Sequence, residues 1–282
     1  MKKIILFTMV FAISFCSYSQ LQTPQPSTFT KIEQVVGLTD VTLEYSRPNM
    51  KGRVIVGDLV PYDKVWRTGA NARTKITFSD DVQVDNTTLK AGTYAILTIP
   101  GKEAWQVVFY TDHASGGAPK ELDESKVAAR VKAEVYPIPV KIETFTISFD
   151  DITNDSAVIG IMWENTYVGV PFKVPTAEKA MASIEKTMAG EPTANDYFSA
   201  AGYYFQEGKD IKQAKKWMDK AISMSEKPAF WQLRQQSLIY AKAGDIKGAI
   251  EIAKKSLAAS EEAKNDDYIK MNKDSLKEWG GM

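Results

Sequence analysis

"AGTYAILTIPGKEAWQVVFY" (91–110) holds two runs of β-branched and aromatic residues around a turn cluster, "PGKEA". "TYAILTIP" (93–100) and "WQVVFY" (105–110) are too short for stable helices and have the composition of strands. Outward from this pair the pattern repeats. "VTLEY" (41–45), "TKITFS" (74–79), "ETFTISF" (143–149) and "AVIGIMWEN" (157–165) read the same way, with "DNTTLKAG" and "DDITNDS" as further turns. Short strands at this spacing, with no helical stripe between them, predict an antiparallel β-sandwich or jelly roll over residues 20–174. "ELDESKVAARVKAE" (121–134) is the one segment that reads as a helix, although its second half also suits a strand.

After "VPFKVP" the period changes. Residues 175–282 carry Ala, Lys, Glu and Met at helical spacing, and an internal repeat appears. Tyr197, Ala201, Tyr204, Gly208, Ala214 and Ala221 are matched by Leu233, Ser237, Tyr240, Gly244, Ala249 and Ser256. The turns "EGKDIKQA" and "AGDIKGA" are recognisably one motif, which resembles the tetratricopeptide (TPR) repeat. Small residues let two helices approach closely, and the glycine ends the first. "TAEKAMASIEKTMAG" (176–190) and "DDYIKMNKDSLKEW" (266–279) are expected to cap the pair. The fold class is therefore α+β in two domains. Such repeats imply either a groove for a peptide or protein partner or an accessory bundle. Tyr203, Phe205, Trp217, Phe230 and Trp231 are the aromatics to sort between core and groove.

The first 19 residues have the build of a secretory signal peptide. "MKK" is the positive start, "IILFTMVFAISF" the apolar run, and "SYSQ" offers a cut before Gln20. Cys16, the sole cysteine, lies within this leader, and bulky Phe15 speaks against lipid attachment there. The processed chain would have no disulfide, thiolate metal site or cysteine nucleophile. Lys plus Arg (35) balances Asp plus Glu (35), so there is no basic field for nucleic acid. No later apolar run suggests a transmembrane segment. A periplasmic or extracellular protein, soluble after processing, is expected.

With "YSRPNMKGR" (45–53), "LVPYDKVWRTGAN" (59–71), "AGTYAILTIPGKEAW" (91–105) and "WENTYVGVPF" (163–172) in view, the β half resembles family 2911 among bacterial domains of unknown function. The resemblance covers residues 24–174. It implies an all-β envelope domain, exported and sometimes followed by TPR-like helices, with no catalytic residue to carry over. Members tend to have a glutamate after the asparagine of "WRTGAN"; this chain has Ala72 and Arg73, so any chemistry resting on that glutamate is lost here.

Within that loop, Arg67 supplies a fork of donors, Trp66 a stacking face and Asn71 paired donor and acceptor. Tyr45 and Arg47 end a strand expected to approach it. These five residues are the candidate ligand-binding site, suited to a carboxylate-bearing or sugar-like ligand. Alternatively, Arg67 and Asn71 satisfy buried loop carbonyls and the stretch is a structural knot. Glu44, Asp63, Glu143 and Glu164 are the carboxylates from which a hydrolase pair would have to come. His113 is the single histidine, too few for a histidine-based zinc site, and "DDITNDS" does not have calcium-loop spacing. No metal or cofactor is expected. The favoured function is non-catalytic: the sandwich binds a small polar ligand or glycan and the helices a protein partner. A carbohydrate-active hydrolase and a pure scaffold are the alternatives.

Overall fold

The computed structural model describes residues 23–281; the expected leader, with Cys16, lies outside them. The chain divides into two compact units between Thr176 and Ala177. Among the described residues the first has nine antiparallel strands: β1 (Thr28–Val36), β2 (Thr39–Arg47), β3 (Ala70–Phe78), β4 (Val82–Val84), β5 (Thr87–Leu89), β6 (Gly92–Ile99), β7 (Ala104–Tyr110), β8 (Val127–Asp150) and β9 (Ser156–Lys173). Their order is β1-β2-β3-β6-β7-β8-β9-β4-β5. The hairpin predicted from 91–110 is β6–β7, with Ile99 opposite Gln106 and Ala95 opposite Tyr110.

One strand turns this sheet into two layers. The first part of β8 pairs with β7, from Val127 opposite Tyr110 to Glu134 opposite Ala104. Its second part pairs with β9, and the register slips between Pro137 and Ile142 and again before Thr146. Pro137 and Pro139 have no N–H to give a ladder, so a bulged corner is where a strand tolerates them. Beyond the corner β8 faces β2. The Tyr45 hydroxyl donates to Ile147 O (3.1 Å) and accepts from Ile147 N (2.9 Å) across the interior. Leu43, Ile76, Phe78, Ile96, Trp105 and Phe109 pack into one core with Phe145, Ile147, Ile161, Trp163, Val170 and Phe172.

The helix expected over 121–134 is not formed. Only Glu124–Lys126 makes a 3-10 turn, capped by the Asp123 carboxylate, and strand follows at once. Ala129, Val131 and Ala133 are buried while Arg130, Lys132 and Glu134 are exposed, a period of two that helix-favouring residue types had masked. This strand pairs with all seven residues of β7, an edge that a helix here would have left without backbone partners. The turn expected at 150–156 is the β8–β9 hairpin, where Thr153 N donates to Ser156 O.

Among the described residues the second unit has six helices: α1 (Thr176–Met188), α2 (Ala194–Gln206), α3 (Ile211–Ser223), α4 (Phe230–Lys242), α5 (Ile246–Glu262) and α6 (Asp266–Glu278). The repeated motif forms the same turn twice. Gly208 and Gly244 take left-handed φ (61° and 85°) after α2 and α4. Asp210 then accepts from Lys212 N and Gln213 N to start α3, and Asp245 accepts from Gly248 N to start α5. Fully buried Ala201 and Ala214 permit the close approach, with Met218 and Ile239 completing the core. None of the described helices is long and apolar enough to cross a membrane.

Tyr45→Phe tests the two-layer arrangement. It removes both bonds to Ile147 and leaves that residue's buried N–H unpartnered, so a loss of about 1–3 kcal/mol is expected by chemical denaturation.

Candidate ligand-binding site

The backbone of "WRTGAN" is held in an unusual shape. Trp66 bridges to Thr98 on β6, donating N–H to its carbonyl (2.7 Å) and accepting its N–H (2.9 Å). The chain then kinks: Thr68 has φ 59°, Gly69 φ 140° and Asn71 φ 58°. A left-handed β-branched residue is a true outlier. Buried Thr68 is kept there because its hydroxyl donates to Thr98 Oγ1 (3.1 Å) and its carbonyl accepts the Thr74 hydroxyl. The kink lets β3 start at Ala70 while Trp66 and Arg67 stay beside β6.

That kink opens one wall of a cleft of about 430 Å³. Trp66 and Trp163 line it, stacked on each other at 5.9 Å and 15°. Behind Trp66 stand Phe145 and Trp105, both edge-on (5.1 and 6.3 Å). Arg67 lines the same cleft, together with Lys51 and Arg53 from the segment between β2 and β3. No aspartate or glutamate is among the described lining residues.

The five candidate residues separate. Trp66 and Arg67 face the cleft. Asn71, although exposed, donates to Ser27 O (3.2 Å) and Ser46 Oγ (3.1 Å), tying the segment before β1 to the turn. Arg47 donates from Nε to Phe145 O (3.0 Å) and from Nη2 to Thr146 Oγ1 (2.7 Å), so it fastens β2 to β8. Tyr45 lies in the core with its hydroxyl fully engaged, and burial pushes its phenol pKa up. Tyr45, Arg47 and Asn71 are thus tied into the fold by their own hydrogen bonds. Arg67 is the exception: its Nε is shut off from solvent and has no hydrogen-bond partner.

Lys51, Arg53 and Trp163 complete the cleft and were missed, although "RPNMKGR" places three cations around a turn. The candidate carboxylates explain how that turn is held. Glu143 Oε1 accepts from Lys51 N (2.8 Å), and Glu164 Oε2 accepts from Ile55 N (3.2 Å) and Val56 N (3.4 Å). Arg53 closes it, donating to Met50 O (2.8 Å) and Asn49 O (2.7 Å). Glu44 pairs instead with Lys75 (3.4 Å), and Asp63 gives its N–H to Pro100 O.

Arg73, beside the motif, points elsewhere. It is buried against the Tyr110 ring and donates to Gly117 O (2.7 Å) and Asp112 O (2.5 Å), clamping the loop that contains His113. No cluster of three metal-ligating side chains occurs among the described residues. In the helices, Tyr204 packs on Trp217 (4.7 Å) and Phe230 on Tyr268 (4.8 Å), with Phe205 and Trp217 against the core. Trp231 stays about half exposed.

A family model described as "Protein of unknown function (DUF2911)" matches residues 27–172. The chain belongs to this family. The match takes in the cleft lining from Ser27 to Trp163, all of it but Pro26, and stops before the helices. No curated protein and no solved structure matches the chain. The DUF2911 family description assigns no activity, so the chemistry has to be argued from the cleft itself.

Proposed function

We propose that this member of the DUF2911 family is an exported envelope protein that binds rather than transforms. Its β unit takes a small polar ligand in the Trp66–Arg67 cleft, and its TPR-like helices engage a protein partner. One observation carries the first part: Arg67 Nε is a buried, charged donor left without a partner beside an open cleft. Leaving such a donor unsatisfied costs about 1–3 kcal/mol or more, and a buried charged group kept at that cost on the wall of a cleft calls for a functional reason. A kinked, left-handed Thr68 next to it belongs to the kind of strain that collects at ligand sites.

The hydrolase alternative finds no support at this cleft, because Glu44, Glu143 and Glu164 are engaged elsewhere and none lines it. The scaffold alternative accounts for Tyr45, Arg47 and Asn71 but leaves Arg67 unexplained. For the helices, exposed Trp231 and the repeated helix pairs support a partner-binding role.

Thermal-shift measurements on the full chain against glycans and metabolites test the β-unit reading. A ligand is expected to raise the melting temperature of the wild type, and Arg67→Gln to abolish that rise while melting within a few degrees of it. Asn71→Ala should instead melt lower without ligand, by roughly 2–8 °C for a loss of about 1–2 kcal/mol. If no compound shifts the wild type and Arg67→Gln melts as low as Asn71→Ala, the motif is only a knot.

A further inference from the structure

We infer that the cleft selects an organic oxyanion, a carboxylate or phosphate head on an apolar body, an inference that rests on the cleft being a ligand site. The argument starts from donor and acceptor chemistry. Arg67, Arg53 and Lys51 can only donate. The polar side chains that remain are Ser27 and Asn49, and Asn49 Oδ1 already accepts from Thr144 Oγ1 (2.6 Å). Two of the nearby carbonyls already accept one bond each, Ser27 O from Asn71 and Asn49 O from Arg53. A sugar hydroxyl needs an acceptor for its proton as well as a donor for its lone pairs, and the side chains of this wall offer few acceptors. An oxyanion only accepts.

Charge points the same way. Three cations line one cleft with no carboxylate among them. Glu143 and Glu164, the acids nearest in the bonding network, spend oxygens on backbone N–H groups of the 51–56 segment. They therefore hold the cation-bearing turn in place and do not line the cleft. Like charges fixed together repel in the empty site, and an anion removes that repulsion. Arg67 presents a planar fork that matches two oxygens of a carboxylate or phosphate.

The other walls set the body of the ligand. Trp66, Trp163, Leu59, Val60, Pro26 and Pro48 are apolar, and the volume of about 430 Å³ suits a metabolite-sized molecule. Trp66 is held by its stack on Trp163, so the apolar wall is preformed. The oxyanion is expected on Arg67, with Lys51 and Arg53 completing the cationic rim.

Binding of phenyl phosphate, phenylacetate, 2-phenylethanol, cellobiose and inorganic phosphate to the full chain, followed by calorimetry and tryptophan fluorescence, tests this. Phenyl phosphate or phenylacetate should bind, more weakly as salt is raised, while 2-phenylethanol and cellobiose do not. Which of the two anions binds tighter tells phosphate from carboxylate. Arg67→Gln should weaken binding about tenfold or more. Lys51→Glu, at an exposed side chain, should weaken it several-fold with melting unchanged, and it carries the test if Arg67→Gln does not fold. Cellobiose or 2-phenylethanol binding as well as the anions, through Arg67, would overturn the anion inference and leave the cleft a ligand site. Anion binding that ignores both substitutions, or no binding by any probe, would overturn both.

Discussion

Phe145→Ala is expected to be among the most destabilising single truncations in the β unit, lowering stability by about 3–5 kcal/mol. Phe145 is fully buried and touches three other rings: Tyr45 at 5.9 Å, Trp66 at 5.1 Å and Trp163 at 5.5 Å. It comes from the far half of β8, and its backbone accepts from Arg47 Nε and donates to Pro48 O. Truncation therefore leaves a cavity at the point where β2, β8 and the cleft wall meet. Dense packing allows only partial collapse into such a void. The melting temperature should fall by roughly 6–20 °C, with Phe145→Leu recovering much of the loss. Because Trp66 loses its edge-on neighbour, its fluorescence should also change in the folded variant. A loss under about 1 kcal/mol would mean that the four rings are not the joint between the layers.

Gly37→Ala is the second. Gly37 and Leu38 form the two-residue link between β1 and β2, with Val36 opposite Thr39. Gly37 has φ 57°, the positive value that such tight hairpins require at their first central position. A Cβ there would lie 2.0 Å from Asn154 O and 1.9 Å from Thr176 Oγ1. The carbonyl belongs to the β8–β9 turn and cannot rotate aside as a side chain can. Backbone strain and overpacking together are expected to cost roughly 2–5 kcal/mol. Gly52→Ala isolates the first of these. Gly52 also has positive φ (75°), yet nothing lies within 4 Å of its added Cβ, so only the left-handed backbone cost of about 1–2 kcal/mol is expected there. Equal melting temperatures for the two variants would remove the steric part of the argument.

The strand signals around 91–110 were legible because a half-buried strand must alternate or run apolar, whatever it pairs with. The same holds for the twin turns at Gly208 and Gly244, where a helix has to stop and the next has to be capped within three residues. Residues 121–134 misled because Ala, Lys and Glu favour helices locally, whereas the unpaired edge of β7 decided the outcome. At the site, "WRTGAN" was identified as unusual, but its residues could not be sorted. Arg67 and Asn71 are four positions apart and chemically alike as donors; one faces a cleft and the other ties down Ser27 and Ser46. Lys51 and Arg53 gave no local sign of a site, since nothing near them in sequence says that this segment folds beside Trp163.

Local chemistry and periodicity were enough for the α+β division near residue 175, most strands and the repeated helical turn, while the resemblance of four motifs pointed to the family. Each depends on neighbours within a few residues, and short-range sterics and burial leave a clear trace there. The tertiary structure alone decided how β8 bends from one layer to the other and that Arg67 Nε is buried without a partner. It also decided that Glu143 and Glu164 brace a loop while three cations share a cleft. Those outcomes depend on contacts between positions as far apart as Ile55 and Glu164, where backbone and side-chain groups satisfy each other across the fold.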